Sequence, residues 1–127
     1  MTPLLLLLAA KVTVTMAFVA APFLLLSKQA IEARLSITAS NSGLFRLYGV
    51  AMLALTTAYS GGIWQITQNV FPLPIVLMGI VSNLGATIAL LSTGFWKSSR
   101  LLTGFFAVIG LSLVLALALP EFAMMAL

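Results

Sequence analysis

The chain of 127 residues contains no cysteine and no histidine. Disulfide pairing, thiol redox chemistry and thiolate metal sites are therefore excluded, and so is any haem or zinc ligation that needs imidazole. Two carboxylates are present, Glu32 and Glu121, far apart in the sequence. They supply neither a paired-carboxylate acid/base site nor a carboxylate cage. No catalytic residue, no metal ligand and no cofactor is assigned, and the balance leans away from an enzyme. Charge is scarce as well: 6% of residues are charged and 62% are hydrophobic, with a mean hydropathy of +1.22. Soluble domains carry roughly 25% charged residues, because their surface must be hydrated. A chain this poor in charge cannot cover a water-facing surface, so its surroundings are lipid. The formal charge of +4 does not indicate nucleic acid, since the basic residues are too few and scattered to track phosphates.

What is abundant is apolar sequence in long runs. A bilayer core of about 30 Å takes roughly 20 apolar residues as a helix. Four segments meet that length, at about 4–26, 47–66, 70–92 and 101–119. No period-2 alternation runs through them, which rejects a barrel, and backbone in lipid must then bond to itself as helix. The expected fold is an all-α integral membrane four-helix bundle, with residues 1–127 forming one transmembrane domain.

The connections fit this count. Residues 27–46 hold the densest polar content and include Ile31 and Leu35 four apart, with Lys28 and Glu32 elsewhere on the helical wheel. A short interfacial helix and an irregular polar loop are the two alternatives there. Ser40, Asn41, Ser42 and Gly43 supply turn and N-cap chemistry before the second span. A tight turn is expected near Gln68 and Asn69, with Pro72 and Pro74 in the first turns of the third helix, where a missing N–H costs little. Residues 93–100 join the last two helices.

Orientation follows from the basic residues. Lys28, Arg34 and Arg46 lie in the first connection and Lys97 and Arg100 in the third, while the second connection and the C-terminal tail carry none. The positive-inside rule makes the first and third connections cytoplasmic and puts both termini outside, as in a protein of the bacterial inner membrane. Trp64 and Trp96 then fall near opposite faces. Residues 1–21 fit a cleavable leader poorly: no charge precedes the leucines, Lys11 interrupts the apolar run, and Pro22 follows Ala20 and Ala21. Thr2 in place of glycine, and the lack of cysteine, leave no lipidation motif.

Small residues recur at four-residue spacing and mark packing faces: Ala9, Thr13, Ala17 and Ala21 on the first helix, Ala54, Ala58 and Gly62 on the second, Ser82 and Ala86 on the third. Lipid offers little hydrophobic drive between helices, so close approach through small residues does the packing. The same faces suit docking of a foreign helix.

Lys11 is the conspicuous exception within the first apolar run. A charge at mid-helix costs about 2.5–3.5 kcal/mol on insertion scales. Being nearer the outer end, Lys11 can snorkel to headgroups, which is the plainest reading. The alternatives are a lysine bonded inside the bundle and one serving a substrate or proton. Candidate partners are Thr15, Thr56, Thr57, Tyr59, Asn83 and Thr87. Gln65, Gln68 and Asn69 share its expected depth, so Lys11, Tyr59, Gln65 and Asn69, with Asn83, are the candidate lining of an outward-facing polar pocket for an anionic or quinone-like headgroup.

The stretch Leu44–Gln65, LFRLYGVAMLALTTAYSGGIWQ, resembles the DoxX-like group of small four-helix bacterial membrane proteins through the entry Arg46, Tyr48 and Gly49. That resemblance implies a four-helix outline and transfers no catalytic residue. Small multidrug transporters are similar in length only, since they use a glutamate in the first helix where this chain has Lys11. Like small fluoride channels, they also need little positive-charge bias. The expected function is therefore a non-catalytic accessory or assembly subunit of a larger membrane complex, contacting lipid and other subunits or a second copy. The alternative is a small transporter or lipid- or quinone-binding protein using the Lys11 pocket.

Overall fold

The computed structural model describes residues 1–35, 38 and 42–126, which are helical apart from short connections, with no strand among them. The run Pro3–Leu25 comprises α1 (Pro3–Thr15), a π-helical segment (Met16–Ala20) and α2 (Ala21–Leu25). Then follow α3 (Lys28–Leu35), α4 (Ser42–Thr67), α5 (Leu73–Ser92), a 3₁₀ turn (Phe95–Lys97), α6 (Arg100–Ala118) and α7 (Pro120–Met124). Three helices are long and apolar enough to cross a membrane: Pro3–Leu25, Leu73–Ser92 and Arg100–Ala118. The expected second span lies in α4, the longest helix at 26 residues, but Arg46, Thr56, Thr57, Ser60 and Gln65 make it less apolar than the other three. The expected turn residues Ser40 and Asn41 lie outside the described residues, while Ser42 and Gly43 open α4.

Local chemistry explains the ends. The Thr2 hydroxyl accepts from the Leu5 N–H at 3.2 Å, capping α1 ahead of Pro3, a position where proline's missing N–H is harmless. Pro22 accounts for the π segment. Its ring would press on the Phe18 carbonyl four residues back in a continuous α-helix. The chain widens instead, and the Ala21 N–H bonds the Met16 carbonyl five residues back. Arg46 of α4 then donates from both terminal nitrogens to the Phe23 and Leu26 carbonyls, at 2.8 and 2.9 Å. A basic side chain at a helix C-terminus satisfies open carbonyls and complements the dipole, so Arg46 ties α4 to α2. Residues 28–35 are helical, with the Ser27 hydroxyl capping at Ala30 and Ile31 buried. At the end of α4, Asn69 takes the left-handed conformation (φ 58°), its N–H bonds the Ile66 carbonyl, and the Val70 N–H reaches the Gln65 carbonyl. That is a Schellman stop.

α1 packs against α4 and α5 against α6, and α4 also touches α5 while α6 touches α1. The α5–α6 hairpin is the most intimate pair. A Cβ on Gly110 would stand 2.5 Å from Leu84 Cδ2 and 3.3 Å from the Leu84 backbone nitrogen, so only glycine permits that approach. The short α7 folds back onto α1, and Ala123 is buried in one cluster with Leu4 and Leu8. This stretch is a packed element where hydropathy suggests only a tail. Pro120 at the first position and Glu121 in the first turn are a helix-start signature.

The small-residue stripe on the first helix is not its internal packing face. Thr13 and Ala17 are exposed, as is Ala54 on α4, while Ala9, Ala21 and Ala58 are half-buried. The buried face of α1 is instead Leu4, Leu8, Lys11 and Thr15, and that of α4 is Phe45, Gly49, Thr56, Tyr59, Gly62 and Ile66. Spacing identifies a small-residue face but not which way it turns, and bulk filled the interior here.

Candidate functional site: a buried lysine between two cavities

Lys11 does not snorkel. It is 4% exposed, and its ammonium points across the bundle, donating to Asn83 Oδ1 on α5 at 2.7 Å. The same nitrogen stands 4.7 Å from the ring centroids of both Phe105 and Phe106 on α6, within the range of cation–π attraction. One side chain thus ties α1 to α5 and α6. Asn83 is fully engaged in turn, since its amide nitrogen donates to Tyr59 Oη at 2.9 Å and to the Gly79 carbonyl at 2.7 Å. Tyr59 of α4 is 1% exposed, and its hydroxyl lies 3.5 Å from Ser82 Oγ, which in turn donates to the Gly79 carbonyl. A Cβ on Gly79 would stand 2.8 Å from Tyr59 Oη and 2.5 Å from Leu113 Cδ1. Glycine is what lets the tyrosine hydroxyl reach the asparagine.

Of the predicted lining, Lys11, Tyr59 and Asn83 come together. Gln65 and Asn69 do not. Asn69 is exposed as the stop of α4, and Gln65, near the same end, has a buried Oε1 without a hydrogen-bond partner. The pocket around Lys11 therefore does not open toward the Gln65–Asn69 end. Long side chains reach across depth, which residue numbering along the helices does not convey. Of the helix-packing candidates on α5, Ser82 and Ala86 are both half-buried. Both line the cavity beside Lys11, and Gly62 is buried on α4.

That cavity is small, about 110 Å³, and its walls include Lys11, Thr15, Tyr59, Ser82, Asn83 and Phe106. Thr15 is 2% exposed, and its hydroxyl has no hydrogen-bond partner. A second, open cavity of about 830 Å³ lies toward the end where α2 and α5 finish and α4 and α6 begin. Its walls are largely apolar and aromatic, among them Phe18, Phe23, Phe45 and Phe95, and Arg34, Lys97 and Arg100 also line it. Tyr48, Ala86 and Phe106 line both spaces, so they form the partition between open cavity and inner chamber. Sequence reasoning does not find this aromatic partition. The one available signal is the clustering of Phe18, Phe23, Phe45 and Tyr48 at adjoining helix ends.

Among the described residues no group of three or more metal-ligating side chains forms. The arrangement has no acid and no base poised on a nucleophile. What it can do is hold: a buried ammonium, hydroxyl donors and an apolar cleft edged with cations. The class so defined is a helical membrane protein with a cation buried between its helices. No family model matches the chain, and no match is found among curated proteins or solved structures. The likeness of Leu44–Gln65 to the DoxX-like group therefore assigns no family.

Proposed function

We propose that the chain is an integral protein of the bacterial inner membrane with four spans, α4 included, its basic connections cytoplasmic and both termini outside. Its proposed role is non-catalytic: it holds an anionic amphiphile in the open cavity. The observation that carries this reading is the composition of that cavity, an apolar aromatic cleft of about 830 Å³ lined also by Arg34, Lys97 and Arg100, with no carboxylate among its described lining residues. An acyl chain moves from lipid into such a cleft at little cost, and the volume is within the usual range of small-molecule sites. The headgroup supplies the charge the cations lack. Arginine's planar fork suits a phosphate or carboxylate, and each basic residue near an anionic surface contributes about 1 kcal/mol, roughly fivefold in affinity.

The test is native mass spectrometry of the purified protein against phosphatidylglycerol, oleate and phosphatidylcholine. Preferential retention of either anionic amphiphile is expected, with the preference lost in Arg34→Gln/Lys97→Gln/Arg100→Gln. Equal retention of zwitterionic and anionic lipid by the unaltered chain would rule the reading out.

A second reading, an accessory or assembly subunit or a self-associating chain, is supported by the exposed Thr13, Ala17 and Ala54, since small residues facing lipid let a neighbouring helix approach closely. Native gels after mild extraction would show co-migrating chains. A lone monomer would count against it.

A further inference from the structure

We infer that the chamber beside Lys11 is a binding site for a small monovalent anion, of the size of chloride or nitrate, held by the Lys11 ammonium and the Thr15 hydroxyl. Several observations converge. Lys11 is 4% exposed and its partners are neutral: one amide oxygen and two aromatic faces. The ion pair found among the described residues, Lys28 with Glu32, belongs to α3, and no carboxylate among the described residues pairs with the buried cation. A charge held in a low-dielectric interior without a counter-charge is costly, and the cation–π contacts offset only part of that cost.

The remaining observations concern what lies next to it. Lys11 lines a cavity of about 110 Å³, which has room for a small anion together with water. The buried Thr15 hydroxyl lines the same volume with no partner, an arrangement that native proteins rarely leave unexplained. The polar groups lining the space are an ammonium, three hydroxyls from Thr15, Tyr59 and Ser82, and an amide whose N–H groups are already donated. One cation calls for one negative charge, so the site favours a monovalent ion over sulfate or hydrogen phosphate.

The inference stands independently of the amphiphile reading, because the anion sits behind Tyr48 and Phe106 and the amphiphile in front of them. The test uses the full chain in detergent micelles with gluconate as the background anion at constant ionic strength. Replacing gluconate stepwise by chloride or nitrate is expected to raise Tm along a saturating curve, and to broaden the ³⁵Cl resonance in a manner reversed by nitrate. Thr15→Val, which keeps shape and removes the hydroxyl, is expected to weaken the apparent affinity about tenfold, the equivalent of about 1.4 kcal/mol for a hydrogen bond to a charged group. Lys11→Met is expected to abolish both effects, whereas Lys28→Gln, removing a positive charge on α3, leaves them intact. If Lys11→Met fails to fold, the line broadening of the unaltered chain and its response to Thr15→Val still decide. No chloride or nitrate dependence in the unaltered chain, or a dependence that survives Lys11→Met, overturns the inference.

Discussion

The two ends of the molecule are built on different principles. At the end where α1 begins and α6 finishes, Leu4, Leu8, Tyr59, Ile66, Val76, Ile109, Leu113, Ala116 and Ala123 form one buried cluster, and Leu8, Val76 and Leu113 are 0% exposed. α7 folds over this end. At the other end the helices leave an open cleft of about 830 Å³. The difference lies in shape: the closed end interleaves branched aliphatics with Gly62, Gly79 and Gly110, while the open end presents large aromatic rings and long cations. Lys11 sits where one regime gives way to the other. In lipid, packing and hydrogen bonds do the work that water does in soluble proteins, so the closed end carries the stability and the open end is free for a ligand.

The sharpest way to break that contrast is truncation of a leucine at each end. Leu113→Ala is expected to lose about 2–5 kcal/mol, as buried leucines do when a cavity remains. Leu102→Ala, at the wall of the open cleft, is expected to change stability by no more than about 0.5 kcal/mol. Unfolding by SDS titration from mixed micelles measures both, and equal losses would erase the distinction. Next in size is the polar junction. Asn83→Leu removes the acceptor of a buried ammonium and is expected to cost about 2 kcal/mol. The double change Lys11→Met/Asn83→Leu should recover part of that, since it leaves no orphaned charge, and a double change worse than Asn83→Leu alone would mean that Lys11 stabilises through contacts other than Asn83. The glycines span a wide range. Gly79→Ala is expected to cost about 1–3 kcal/mol by overpacking against Leu113 and Tyr59, with a change in Tyr59 fluorescence. Gly85→Ala, whose Cβ would meet nothing within 4 Å, is expected to be neutral or stabilising by up to about 1 kcal/mol, and a loss there would show that the open side packs tightly after all.

Much of the helical layout was legible from hydropathy alone. Apolar runs bounded by Pro72, Asn69 and the basic connections place helices within a few residues of Pro3–Leu25, Leu73–Ser92 and Arg100–Ala118, because the bilayer sets the length and proline and asparagine set the stops. The fourth long helix was legible too, although its threonines and Gln65 leave it less apolar than the rest. The site was half legible. Lys11, Tyr59 and Asn83 stand out as polar groups in apolar runs. Gln65 and Asn69 share the expected depth of Lys11, but a lysine side chain pointing across the bundle does not report the depth of its own Cα. Thr13, Ala17 and Ala54 look like internal packing positions because four-residue spacing defines a face and gives no sign of its direction. α7 escapes notice because five residues carry too little periodicity to register.

By itself, then, the amino-acid sequence determined that the chain is helical and apolar, with charge confined to the connections, the C-terminal stretch and one lysine, since backbone in hydrocarbon has to bond to itself and charge has to find water or a partner. Only the tertiary structure decided which way Lys11 turns, that Asn83 and two phenylalanines receive it, and that Tyr48 and Phe106 stand between a small chamber and an open cleft. Those choices depend on which helices are neighbours and how deeply their side chains interlock, and contacts between residues about seventy positions apart leave no periodic mark along the chain.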